Sequence, residues 1–74
     1  MIGITPKQMS LRTTIDEFVK QHGYSPSVAE LAVLQGTVKS NIVRMINDLE
    51  KRGHVTRIFG KPRSVMVVPI GEQQ

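Results

Sequence analysis

The sequence predicts a small, mostly helical α+β domain in which three helices are followed by a two-stranded β-hairpin. Two observations support this fold. Apolar residues recur at three- and four-residue spacing up to residue 49, and helix-start and helix-stop residues divide that part into three segments. After Gly53 the pattern changes to short runs rich in β-branched residues. A chain of 74 residues supports one core, so we expect one domain over residues 1–70 and a flexible tail at 71–74.

The first helix is predicted to begin after Thr5, a good N-cap residue that Pro6 follows at the first helical position. Gln8 completes a capping box with Thr5, and Gly23 is a natural stop. Between them, one apolar stripe is expected to be buried: Leu11, Ile15, Phe18, Val19 and His22.

Two more helices follow. Pro26 disfavours a helical Ser25, and Ser27 with Glu30 forms a second capping box that starts a helix of about two turns. The residues expected to be buried there are Val28, Leu31, Ala32 and Leu34. Thr37 is predicted to cap the third helix, which ends near Gly53. Its buried stripe is expected to be Ile42, Met45, Ile46 and Leu49.

The segments "HVTRIF" (54–59) and "SVMVV" (64–68) predict two strands joined by the turn "GKPR" (60–63). Two helices around a glycine-containing turn, followed by a hairpin, make a winged helix-turn-helix, in which the third helix enters the DNA major groove and the hairpin is the wing.

The charge distribution agrees with a polyanion-binding surface. The net charge is +4, and residues 1–36 carry three basic and three acidic residues. Residues 37–63 carry seven basic residues against two acidic ones. The positive field therefore belongs to the third helix and the wing, which predicts double-stranded DNA as the partner.

Residue chemistry suggests separate roles on that surface. Arg44 can donate two hydrogen bonds to guanine, Asn41 can pair with adenine, and Val43 can contact a thymine methyl group. Phosphate contacts are expected from Lys39, Ser40, Lys51 and Arg52 in the helix. Lys61 and Arg63 in the wing are expected to contact the DNA backbone or the minor groove. The full candidate set is Lys39, Ser40, Asn41, Val43, Arg44, Asn47, Lys51, Arg57, Lys61 and Arg63.

Some members of this set, and Arg52, have simpler explanations. Asn47 is better explained as solvent-exposed without function. Lys51 and Arg52 suit the C-terminal end of a helix about as well as they suit phosphate. Arg57 can cover apolar wing surface with its aliphatic stem.

Other functional classes find no support. The chain has no cysteine, and its two histidines lack acidic or cysteine neighbours at ligand spacing, so no metal or cofactor is expected. The serines lie outside any "GxSxG" context, and "GKP" lacks the rest of a phosphate loop, so we expect no enzyme and no small-molecule ligand. The short N-terminal apolar run is interrupted by Pro6 and Lys7, which predicts neither a signal peptide nor a membrane span and favours a cytoplasmic location.

Three segments resemble the N-terminal DNA-binding domain of LexA-type repressors: "TPKQMSLRTTIDEFVKQHGYSPSVAELA", "VKSNIVRMINDLEKRG" and "VTRIFGKPRSVMVV". The resemblance covers Ile4 to Val68, although Val38 stands where a serine is usual. It implies operator contacts from Lys39, Ser40, Asn41, Arg44, Lys61 and Arg63. Such repressors continue into a self-cleaving serine–lysine peptidase domain, so we expect either the DNA-binding fragment of a longer repressor or a small phage or mobile-element regulator.

The predicted function is sequence-specific binding of double-stranded DNA, as a transcriptional repressor that forms at most a weak homodimer on DNA. Two alternatives remain open at this point: a winged helix used as a protein-interaction module, and a non-specific architectural DNA binder.

Overall fold

The computed structural model describes residues 5–58 and 60–68. Three helices, α1 (Pro6–His22), α2 (Val28–Gln35) and α3 (Lys39–Lys51), precede two short strands, β1 (Val55–Thr56) and β2 (Met66–Val67). The strands pair antiparallel, with Val55 opposite Val67 and Thr56 opposite Met66. This is a winged helix-turn-helix, as predicted from the sequence. The predicted tail at 71–74 lies outside the described residues.

The first two helices begin where their capping residues predict. Thr5 Oγ1 accepts a hydrogen bond from Gln8 N (3.1 Å), and Gln8 Oε1 accepts one from Thr5 N (3.1 Å). Ser27 and Glu30 make the same reciprocal pair at the start of α2. In each case two backbone N–H groups at the helix start gain acceptors.

The prediction that Thr37 caps α3 is wrong. Val38 occupies the N-cap position, and no side chain accepts a hydrogen bond from the first turn. Thr37 N instead donates to Ala32 O (2.9 Å), so Thr37 belongs to the turn that closes α2. Gly36 takes φ +68°, a conformation that favours glycine, and this turn places α3 one residue later than the sequence suggested.

One core joins the three helices to the hairpin. Its buried residues are Leu11, Ile15, Leu31, Ala32, Ile42, Ile46, Leu49, Val55 and Val65. Two residues expected in the buried stripes are exposed, His22 and Leu34. Leu34 points about 110° around the helix axis from the mean direction of Leu31 and Ala32, so its side chain faces away from the core that these two residues contact. His22 lies in the last turn of α1, where its ring stacks on Phe18 with 4.2 Å between ring centroids.

The predicted strands are longer than the observed ones. The ladder covers two residues on each side, and residues 57, 58 and 60–65 lie in a loop rather than in the four-residue turn expected from "GKPR"; Phe59, the last residue of the first predicted strand, lies outside the described residues. Ser64 organises this loop through its side chain, because Ser64 Oγ accepts from Ile58 N (3.0 Å) and donates to Lys61 O (2.7 Å). A side chain therefore replaces ladder hydrogen bonds next to Pro62, which has no N–H to donate.

Long-range hydrogen bonds fix how the elements meet. Gln8 Nε2 donates to Asp48 Oδ2 (3.0 Å) between α1 and α3, and Arg12 Nη2 donates to Val68 O (2.7 Å) beside β2. These contacts set the direction of α3 and of the hairpin relative to α1.

Candidate nucleic-acid interface

The N-terminal half of α3 presents polar side chains that the fold does not use. Ile42, Ile46 and Leu49 are 0% exposed, and their helical spacing turns the opposite face outward. Ser40 and Arg44 are exposed on that face, and Lys39 is exposed beside them in the first turn of the helix. Their side chains make no hydrogen bond or ion pair with any residue the structure describes. We call these three residues the outward face of α3.

Asn41 and Val43 lie at the border of this face. Both are half-buried, and Asn41 Nδ2 donates to Thr37 Oγ1 (3.1 Å). Among the described residues, the Asn41 side-chain oxygen and second N–H have no other partner, so both can bind a ligand. A bidentate contact with adenine would use that oxygen together with one N–H.

The middle of α3 contacts the wing. Arg57 Nη2 donates a short hydrogen bond to Asn47 Oδ1, and Arg57 Nε lies 3.6 Å from Glu50 Oε1. Asn47 and Arg57, two members of the predicted set, are thus bonded to each other. Lys51, in the last turn of α3, is exposed and has no side-chain partner among the described residues.

Lys61 and Arg63, two basic residues of the wing loop, lie in different surroundings. Lys61 is exposed, and its side chain has no partner in the described part of the chain. Arg63 points toward the start of α2, where Nη1 and Nη2 donate to the two carboxylate oxygens of Glu30 at 2.8 and 2.9 Å. Its guanidinium also lies 5.2 Å from the centre of the Tyr24 ring.

The ion pair between Arg63 and Glu30 changes the proton affinity of both groups. The hydrogen bonds from Arg63, followed by the one from Ser27 N, lower the pKa of Glu30 to about 2. The same contact raises the pKa of Arg63. Glu30 is therefore a carboxylate at neutral pH, and it accepts bonds from both the helix start and the wing.

His54 is a buried residue that the sequence did not single out. It is 2% exposed, and neither ring nitrogen has a hydrogen-bond partner among the described residues. Burial, followed by the positive charges of Arg12 and Arg52, lowers the pKa of His54. The neutral imidazole therefore fills this space beside the core.

The described residues contain neither a metal-binding cluster nor a membrane-spanning helix. No cluster of three or more histidine, cysteine, aspartate or glutamate side chains that could hold a metal ion occurs within residues 5–58 and 60–68. No helix in the same residues has the length and apolar character needed to cross a membrane.

Comparison with known proteins identifies similar sequences. The family model of the LexA DNA-binding domain matches residues 1–64. The chain is 37% identical over 67 residues to the LexA repressor of Thermotoga neapolitana, which covers 90% of this chain and 34% of that protein. It is 36% identical to the LexA repressor of Pelotomaculum thermopropionicum, over 95% of this chain and 36% of that protein. It is 33% identical to the LexA repressor of Mycobacterium leprae, over 97% of this chain and 31% of that protein. The chain thus spans about a third of the length of these relatives.

Proposed function

The chain belongs to the LexA DNA-binding domain family, and we propose that it binds double-stranded DNA with sequence preference and represses transcription by occupying a promoter. The observation that carries this proposal is the outward face of α3, where Lys39, Ser40 and Arg44 are exposed without a partner in the described chain. The relatives described above are named as repressors, which favours repression over activation.

Base reading is proposed for the side chains near the start of α3. Arg44 presents a planar pair of donors that matches the O6 and N7 acceptors of guanine, and Val43 offers an apolar contact to a thymine methyl group. Asn41 is proposed to read adenine while one of its N–H groups stays bonded to Thr37. These three residues would determine which base sequence the protein prefers.

Affinity is proposed to come mainly from phosphate contacts by Lys39, Ser40, Lys51 and Lys61. Each phosphate contact by a cation releases condensed counterions. It therefore makes the slope of log K against log salt more negative by about 0.9. In this proposal, Asn47 and Arg57 contact DNA only through the N–H groups that their mutual hydrogen bond does not use.

One such module has a small interface, so specific binding at physiological salt calls for a second copy on an adjacent half-site. We propose that two copies pair weakly on DNA and that self-association in free solution is weaker still. Such a regulator would act in the cytoplasm, where a bacterial chromosome lies.

The test is a selection from random duplex DNA on the purified chain at low salt, followed by a salt titration on the enriched sequence. We expect an enriched motif, with two related half-sites and a steep salt dependence. A matched control is Lys20→Ala, since Lys20 is an exposed cation on α1 that pairs with Asp16 at 3.0 Å. Replacing it should leave the motif unchanged.

The other outcomes distinguish the alternatives. Binding without an enriched motif would indicate a non-specific architectural DNA binder. No binding to any duplex at low salt would refute DNA binding and favour a protein-interaction module.

A further inference from the structure

The direction of the wing loop is not determined by the strand ladder. β1 and β2 pair over two residues each, and the wing loop, described at residues 57, 58 and 60–65, extends beyond them. A recess of about 290 Å³ separates the loop from Pro26 and Val28 in the body of the domain. Val65 packs into the core at the end of the loop, but the recess leaves the part of the loop at 60–64 without close packing, and specific contacts are needed there.

Arg63 makes those contacts on the side of α2. Both terminal nitrogens bind the Glu30 carboxylate, and Nη1 also lies 3.3 Å from Ser25 O. The backbone of Arg63 has φ +57°, a region that non-glycine residues rarely occupy. Residues held in such conformations often mark functional positions, because surrounding contacts must maintain them. Here the contacts of Arg63 maintain its rare backbone conformation and keep the loop close to Glu30.

A second contact lies two residues further along the chain. Val65 N donates to Ser25 Oγ (3.0 Å), and Ser25 is 4% exposed in the turn between α1 and α2. On the opposite side of the loop, Arg57 bonds to Asn47 on α3. The loop is thus attached to both helices of the helix-turn-helix, which lets the wing keep a constant position relative to α3.

We propose that Arg63 is a positioning residue, whose ion pair with Glu30 holds the wing so that Lys61 meets the DNA backbone at a set distance from α3. This proposal rests on the proposed DNA binding. A guanidinium that gives both terminal nitrogens to a carboxylate has little left to offer a phosphate, and the charge of Glu30 repels a phosphate placed beside it. Arg63 therefore acts through Lys61, and Glu30 is needed for binding despite its negative charge.

Glu30→Gln gives the decisive test because the two possible roles of Arg63 predict opposite changes in the affinity for DNA. Glutamine keeps an oxygen to accept the bond from Ser27 N, so the helix cap remains, but it loses the ion pair. If Arg63 positions the wing, binding to the selected duplex should weaken severalfold. If Arg63 binds phosphate and Glu30 competes for it, binding should become tighter, which would overturn the proposal. The control is Glu17→Gln, which makes the same charge change at an exposed position on α1 without a partner among the described residues.

Arg63→Lys provides an independent check, since lysine keeps the charge and loses the two-pronged geometry. A positioning role predicts weaker binding with an unchanged salt slope. Unchanged affinity in this variant would show that only the charge matters and would refute the positioning role.

Amide hydrogen exchange in the free protein separates this proposal from the proposed function. Without the ion pair, the amides of Lys61 and Val65 should exchange faster in Glu30→Gln than in Glu17→Gln. This result does not depend on whether the protein is able to bind DNA. Unchanged exchange would show that the ion pair does not hold the loop. Failure of the unaltered chain to bind any duplex would instead refute the proposed function, and with it the role of Lys61. Intact DNA binding that Glu30→Gln does not weaken would refute the positioning role alone.

Discussion

Replacing Arg44 with alanine should separate base reading from simple charge attraction. The Arg44 side chain is exposed and has no partner among the described residues, so its removal should change the free energy of unfolding by no more than about 0.5 kcal/mol. Loss of a two-pronged contact with guanine costs about 1–3 kcal/mol, which corresponds to roughly 5- to 150-fold weaker binding on the selected duplex. On random duplex DNA the variant loses one cation only, and its binding should weaken far less.

The assay is a pair of fluorescence anisotropy titrations at one salt concentration, on the selected duplex and on a shuffled one. Arg44→Lys should lose most of the preference as well, because an ammonium group keeps the charge and lacks the planar pair of donors. Lys20→Ala controls for the general effect of removing a cation. Equal losses on both duplexes in Arg44→Ala would show that Arg44 holds phosphate and would refute the base-reading role.

Three further predictions concern stability. Ile46→Ala should destabilise the fold by about 2–5 kcal/mol in a urea titration, because the side chain is 0% exposed; a cost below about 1 kcal/mol would contradict the central place of Ile46 in the core. Val38→Ser should stabilise α3 by about 0.5–2 kcal/mol in the same assay, since Val38 is 64% exposed and offers no capping acceptor. Thermal unfolding should show stability decreasing below pH 6.5, the ordinary pKa of histidine, because the unfolded chain takes up a proton that buried His54 resists. A second decrease is expected from pH 4.5 toward 2 as Glu30 is protonated, and His54→Leu should remove the first decrease and keep the second.

The helices could be predicted from the sequence because their determinants are local. The Thr5–Gln8 and Ser27–Glu30 capping boxes each act over three residues, and both helices begin where these boxes place them. The start of α3 was missed for a local reason too: Thr37 looks like a cap, but the tight turn at Gly36 uses its backbone N–H to close α2. A good capping residue next to a glycine turn can serve either helix, and the sequence pattern does not decide between them.

The surroundings of the wing could not be predicted from local patterns. The charge surplus of residues 37–63 is visible in the sequence, but the pairing of Arg63 with Glu30 joins positions 33 residues apart. Which cations stay exposed depends on how the loop folds back against α2. From the sequence, Lys61 and Arg63 are predicted to share one role, whereas the structure places Lys61 in solvent and Arg63 against a carboxylate.

Pairing within the protein reduces the number of cations that are available to phosphate. Of the seven basic residues at 37–63, Arg57 and Arg63 are paired with acidic or amide groups of the helices, and Arg52 also has an interaction partner. Lys39, Arg44, Lys51 and Lys61 have no partner within the described residues. Since each phosphate contact contributes about 0.9 to the salt slope, four such cations predict a slope near −3.6 per copy at most, against about −6.3 if all seven took part. A measured slope per copy clearly steeper than about −4 would therefore mean that paired arginines exchange their protein partners for phosphate when DNA binds.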